Sequence, residues 1–207
     1  MHQLATRHAS LPDIPILSIE DTPSKQDIRH TKMDLQELHS QIRIASKQAF
    51  SLVRSLYPNE KFCGYALYSD ADAITVCLSA NTRSHLESMI AKDPGDAEYY
   101  RWSPAEWNHE FEGAEYFDQV SKALYEEVKG VKSIEEHSRL KNDVYECCVA
   151  VLEELKIDGF FNDLDETGVL VFSISDSSND LESSWIERLN RPEMAARFRM
   201  WKGTLSN

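Results

Sequence analysis

The stretch FCGYALYSDADAITVCLS, residues 62–79, decides the fold. Two runs, Phe62 to Ser69 and Ala73 to Ser79, are short and rich in aromatic and β-branched residues, with the turn-prone Asp70-Ala71-Asp72 between them. This predicts a β-hairpin. If Tyr65, Leu67, Ile74, Val76 and Leu78 share its buried face, alternation puts Cys63 on that face and Cys77 on the other, so the two thiols are not expected to pair.

Upstream of the hairpin, Leu35, Leu38, Ile42, Ala45, Ala49, Leu52 and Leu56 recur at three- and four-residue steps, the apolar stripe of a helix that ends before Pro58. Before it, residues 1–30 carry three prolines and no sustained period, and read as a flexible arm. Downstream, Asn81 can cap a helix running to about Ala91, and Asp93-Pro94-Gly95-Asp96 forms a loop. The next segment, YYRWSPAEW at residues 99–107, reads as a joint. Tyr99 to Trp102 would end a third strand. Ser103, Pro104 and Glu106 would open a helix as N-cap, first and third positions, with Trp102 and Trp107 placed for a hydrophobic staple. These rules account for the residue types without a ligand. Arg101 would then lie beside Tyr99, opposite Trp102, either pairing with a carboxylate or free to fork onto an anionic group.

Further on, Ser133-Ile134-Glu135-Glu136 has the spacing of a capping box and begins a long helix with the stripe Leu140, Val144, Cys147, Val151 and Leu155. A strand from Val169 to Ile174 follows, then a helix from about Asn179 and a basic tail. The fold class expected is α+β: a mainly antiparallel sheet of about four strands packed with several helices, in one domain over residues 31–207 that closes on a basic C-terminal helix.

Lys plus Arg number 22 against 35 for Asp plus Glu, a formal charge of −13 that would repel phosphate backbones and anionic lipids. Neither nucleic acid nor a membrane is an expected partner. Arg7, Pro12, Asp13 and Pro15 interrupt the place of a signal peptide, no apolar stretch approaches bilayer length, and four cysteines without zinc spacing read as free thiols. The expectation is a soluble cytoplasmic protein.

Signatures of catalysis are thin. No H-E-x-x-H, G-x-S-x-G or Gly-rich phosphate loop occurs, and His109-Glu110 are neighbours that would point apart on a helix, so no catalytic residue is assigned and no cofactor is expected. Asp163-Leu164-Asp165-Glu166-Thr167-Gly168 resembles the front of a calcium loop, but its twelfth position is Ile174 rather than glutamate, so it reads as a solvated acidic turn and not a metal site. Between Pro104 and Glu127 there are seven carboxylates and one lysine. An ordinary solvated face accounts for them; the sharper reading is a docking surface for a basic partner made by Glu110, Glu112, Glu115 and Asp118. In the tail, Arg188, Arg191, Arg197, Arg199 and Lys202 accompany Met194, Phe198 and Trp201 at helical spacing, a stripe expected to dock on the acidic body, with a partner-binding helix as the alternative.

Three motifs in order resemble a bacterial domain-of-unknown-function family, number 4303: Ala66-Leu67-Tyr68-Ser69-Asp70; Ser79-Ala80-Asn81-Thr82 with Leu86 and Glu87; and Tyr100-Arg101-Trp102-Ser103-Pro104-Ala105-Glu106-Trp107. The resemblance runs from about Met33 to the late strand and helix and leaves the arm uncovered. It implies no catalytic residues. It does imply an association with polymorphic toxin systems, in which small acidic proteins neutralise a cognate toxin. The expected function is a non-catalytic acidic binding protein, an immunity-type inhibitor of a basic toxin partner. The alternative is a small-ligand-binding or enzymatic domain with a pocket near Tyr68, Asn81, Tyr99 and Arg101.

Overall fold

The predicted hairpin forms from β1 (Phe62–Ser69) and β2 (Val76–Thr82), paired antiparallel from Phe62↔Thr82 to Ser69↔Val76 in a computed structural model that describes residues 33–175 and 181–205. The expected arm, residues 1–30, and the expected helix start at Asn179 lie outside the described residues. β2 begins three residues later than its composition suggests. The Asp70 carboxylate accepts hydrogen bonds from the N–H groups of Asp72, Ile74 and Thr75 and from the Thr75 hydroxyl. Residues tied into this turn cannot enter the ladder, so Ile74 is half-buried instead of lying on the core face. At the other end the register slips between Phe62 and Gly64, and Phe62, not Cys63, joins Tyr65 in the main core.

β4 (Val169–Ile174) pairs with β1 in parallel, Gly64↔Val169 to Ser69↔Ile174, and β3 (His109–Glu110) pairs with β2 antiparallel, giving the order β3-β2-β1-β4. The sheet is therefore mixed, two antiparallel pairings and one parallel. The long helical excursion between β1 and β4 supplies the crossover that parallel pairing needs. On the outer edge of β4, the side chain of Asn190 substitutes for a neighbouring strand: its Oδ1 accepts from the Leu170 N–H at 2.9 Å and its Nδ2 donates to the Leu170 carbonyl at 2.7 Å.

Strand alternation divides the sheet into two covered faces. On one, Tyr65, Leu67, Val76, Leu78 and Phe172 pack under α1 (Leu35–Leu56) and α5 (Ile134–Ile157), with Ile42, Phe50, Val53, Val144, Val151 and Leu155 fully buried. Both helices begin as their sequences dictate. Asp34 caps α1, which stops before Pro58; Ser133 accepts from the Glu136 N–H, and Glu136 accepts from the Lys132 N–H. On the other face Ala66, Val169 and Val171 pack against Trp102, Trp107, Ile186, Met194 and Phe198.

Two expectations fail between the hairpin and β3. Asn81 is still in β2, opposite Gly64, and α2 (Arg83–Lys92) is capped by the Thr82 hydroxyl, which accepts from the His85 N–H. Tyr99 to Trp102 are not a strand but the end of α3 (Ala97–Trp102), and Ser103 leads into one 3-10 turn at Pro104–Glu106 without a side-chain cap. Long-range contacts override the local strand signal: the buried Arg101 donates to the Thr167 carbonyl, and the buried Trp102 packs edge to face on Phe198. The third strand is instead the two-residue β3.

The remaining helices are α4 (Asp118–Gly130), α6 (Glu182–Leu189) and α7 (Pro192–Leu205). The basic tail docks on the acidic body as its pattern predicts. Phe198 meets Trp102 edge to face at 5.1 Å, Arg197 is paired with Glu98, Arg199 with Glu187, and Arg188 with Glu146 and Glu153, each at 2.6 Å.

Candidate functional site

The docked tail leaves a cleft of about 570 Å3 on the second face of the sheet. Its floor is the end of β1 and β4: Tyr68, Ser173, Ile174 and Ser175. One wall is the α3 joint, contributing Asp96, Tyr99, Trp102, Ser103, Pro104 and Ala105; the other is Glu182, with Trp201, Lys202 and Leu205 of α7. Glu110 enters from β3. The joint wall is fixed by buried anchors. Trp107 lies over Gly64 and donates from Nε1 to the Tyr100 carbonyl at 3.2 Å, while the Ser79 hydroxyl donates to the Pro104 carbonyl at 2.9 Å. The Trp102 indole donates to Glu98 at 3.0 Å.

The ionisable lining is three carboxylates, Asp96, Glu110 and Glu182, and one ammonium, Lys202. Lys202 Nζ lies 2.5 Å from Glu182 and 5.9 Å from the Phe198 ring centroid. The Tyr68 hydroxyl donates to Glu110 at 3.1 Å, and that of Tyr99 to Glu106 at 2.8 Å. Burial, then the nearby Cys77 and Glu110, pushes the Tyr68 phenol far above its ordinary value; the hydrogen bond to Glu106 raises that of Tyr99. Both phenols stay protonated at neutral pH and serve as donors.

The candidate residues distribute over this framework unevenly. Tyr68 and Tyr99, expected in a pocket, and Glu110, expected on an acidic face, line the same cleft. Arg101 does not. In helical α3 the side chains of Tyr99 and Arg101 diverge, and Arg101, 7% exposed, donates to the Thr167 carbonyl at 3.2 Å with its Nε 3.9 Å from Glu98. Burial and then the neighbouring Arg197 pull its pKa down. Asn81 is buried in β2 with its Oδ1 unpaired, away from the cleft lining.

The acidic cluster divides as well. Glu112 is an internal acceptor, taking hydrogen bonds from the Tyr57 hydroxyl and from His109 Nδ1, each at 2.9 Å. Alternation in β3 sends His109 to the first face and Glu110 to the second, so His109 pairs with Glu112 rather than with its neighbour. Glu115 and Asp118 are exposed. The turn that resembles a calcium loop is held by arginines: Asp163 accepts from Arg54 and from the Tyr65 hydroxyl, and Asp165 pairs with Arg83. Among the described residues no group of three or more His, Cys, Asp or Glu is arranged to hold a metal ion, and no helix is long and apolar enough to cross a membrane. Glu182 carried no local signal, Asp96 read only as part of a loop, and Trp201 and Lys202 read only as part of the docking stripe of the tail; they meet Tyr68 because α7 folds back over the joint.

Among curated proteins and solved structures, nothing matches this chain. The hairpin, the joint and the cleft floor all fall inside the one stretch that a family model does match, residues 39–191, which is most of the chain, and the protein thus belongs to the family described as Domain of unknown function (DUF4303).

Proposed function

We propose that the chain is a non-catalytic binding protein for a basic protein partner, an immunity-type inhibitor of a toxin whose own cleft is positive. The observation that carries this reading is the ionisable lining of the cleft, three carboxylates against one lysine, in a chain of formal charge −13. Fixed charge on a rigid wall steers a basic partner and excludes acidic ones, with little ordering cost on binding. The states of the potential catalytic groups favour binding over catalysis. His109 is clamped between Glu112 and Asn108, and burial pushes the Cys63 and Cys147 thiols up to about 11. A small-ligand reading has the same cleft in its favour, since about 570 Å3 falls in the usual range of ligand sites.

The test is to recover a partner from the native host and measure association rates across a salt series for the parent and for variants reversed to lysine in the cleft, at Asp96 and Glu110, and on the exposed face, at Glu115 and Asp118. Glu112 is left alone because its reversal would break an internal hydrogen-bond network. Association should slow by about tenfold or more at low salt, with a flatter salt slope. Equal rates and slopes refute the reading, and a small molecule copurifying in place of any protein favours the ligand alternative.

A further inference from the structure

We propose that the cleft receives the guanidinium of an arginine side chain presented by the partner. This rests on the binding-protein reading above and names the group recognised. Tyr68, Tyr99 and Trp201 offer aromatic surface, and Asp96, Glu110 and Glu182 supply carboxylates from three separate segments of the chain. A flat, weakly hydrated cation suits such a site: it stacks on rings and donates in several directions at once, whereas an ammonium presents a compact, strongly hydrated charge.

One cation of the chain already sits at the cleft wall, between a lining carboxylate and a core ring. The ammonium of Lys202 lies against Glu182 at 2.5 Å and near the face of Phe198 at 5.9 Å. That internal pair neutralises one of the three carboxylates and leaves Glu110 and Asp96 for an incoming cation. Glu110 is held in position by the Tyr68 hydroxyl, so the ring and the carboxylate are presented together. The Tyr68 phenol keeps its proton because burial disfavours the phenolate, so the hydrogen bond points from ring to carboxylate and leaves the charge on Glu110.

The experiment titrates the full chain with N-acetyl-arginine amide, N-acetyl-lysine amide and N-acetyl-citrulline amide, citrulline having the shape of arginine without its charge. The indole N–H signals of Trp102 and Trp201 report occupancy by NMR. Saturable shifts of both indoles are expected with the arginine probe, and binding at least about tenfold weaker with citrulline. Glu110→Gln should weaken the arginine probe several-fold while keeping the partner of the Tyr68 hydroxyl, and Lys202→Met should strengthen it by releasing Glu182. Equal binding of arginine and citrulline, tighter binding of lysine than arginine, or no saturable shift overturns the proposal, provided each variant melts like the parent. The two failures are distinguishable. If the arginine probe binds but charge reversal leaves partner association unchanged, the cleft takes a guanidinium that the partner does not present, and the basic-partner reading falls together with the partner's share of this proposal; if reversal slows association while no probe binds, the basic-partner reading stands and this proposal alone falls.

Discussion

Gly64→Ala tests whether the joint is built as described. A Cβ at Gly64 would lie 2.8, 3.0 and 3.2 Å from Cη2, Cζ2 and Cζ3 of Trp107, where carbon atoms ordinarily rest at about 3.5–4.0 Å. The indole cannot easily give way. It is 4% exposed, and moving it stretches the hydrogen bond from Nε1 to the Tyr100 carbonyl. Forcing one methyl into a packed core costs about 1–3 kcal/mol, and an approach under 3.0 Å falls in the upper half, about 2–3 kcal/mol; a less flexible unfolded chain offsets about 0.5–1 kcal/mol, so a net loss of about 1–2.5 kcal/mol is expected. At this chain length that lowers Tm by about 2–10 °C. Urea unfolding should show a lower midpoint at unchanged slope. Trp107→Phe, which removes one ring, should relieve the clash, so the double variant should be more stable than the sum of the two single losses by about 1 kcal/mol. A Gly64→Ala protein as stable as the parent, or strictly additive effects, would refute the placement of Trp107 over β1.

Trp102→Ala should cost about 3–5 kcal/mol by thermal unfolding, because the ring is buried against Phe198 and the joint and tail lose a common anchor. Asn190→Ala should cost about 2–3 kcal/mol in urea, since the buried N–H and carbonyl of Leu170 both lose their partner. For Asp70, burial pushes the carboxyl up, but the Thr75 hydroxyl and the N–H groups of residues 72, 74 and 75 outweigh it and hold the pKa below its ordinary 3.8. A depressed carboxyl stabilises the fold above its unfolded pKa, and that contribution is lost as pH falls through the folded value. The urea midpoint should therefore drop below about pH 4 more steeply in the parent than in Asp70→Asn. Burial raises the thiols of Cys63, Cys147 and Cys148, so at pH 8 iodoacetamide should label these three only after denaturant is added, as read by peptide mapping that separates them from the half-buried Cys77; labelling of any of the three in the native protein would contradict their burial.

What the sequence by itself determined is what depends on neighbours along the chain. The stripe from Leu35 to Leu56 and the stop at Pro58, the capping box at Ser133, and the runs at β1 and β4 are all written locally, because a helix or strand must turn its apolar residues to one side at a fixed period. Local rules misread YYRWSPAEW for a definite reason. Its aromatic residues and Ser-Pro signal suit a strand followed by a helix, but β1 beneath Trp107, Thr167 at Arg101 and Phe198 at Trp102 are partners distant in sequence, and packed against them the segment settles as α3. The parallel partner of β1 was equally out of reach, since a strand's pattern shows which faces are buried and not which strand lies beside it. The cleft is the extreme case. Its Tyr68, Asp96, Glu110, Glu182 and Trp201 are scattered over more than half the chain, and no period or spacing relates them. They form a site because α7, pinned by Phe198 in the core and by the Arg197–Glu98 ion pair, comes to rest across the joint, a long-range packing event decided only in the tertiary structure.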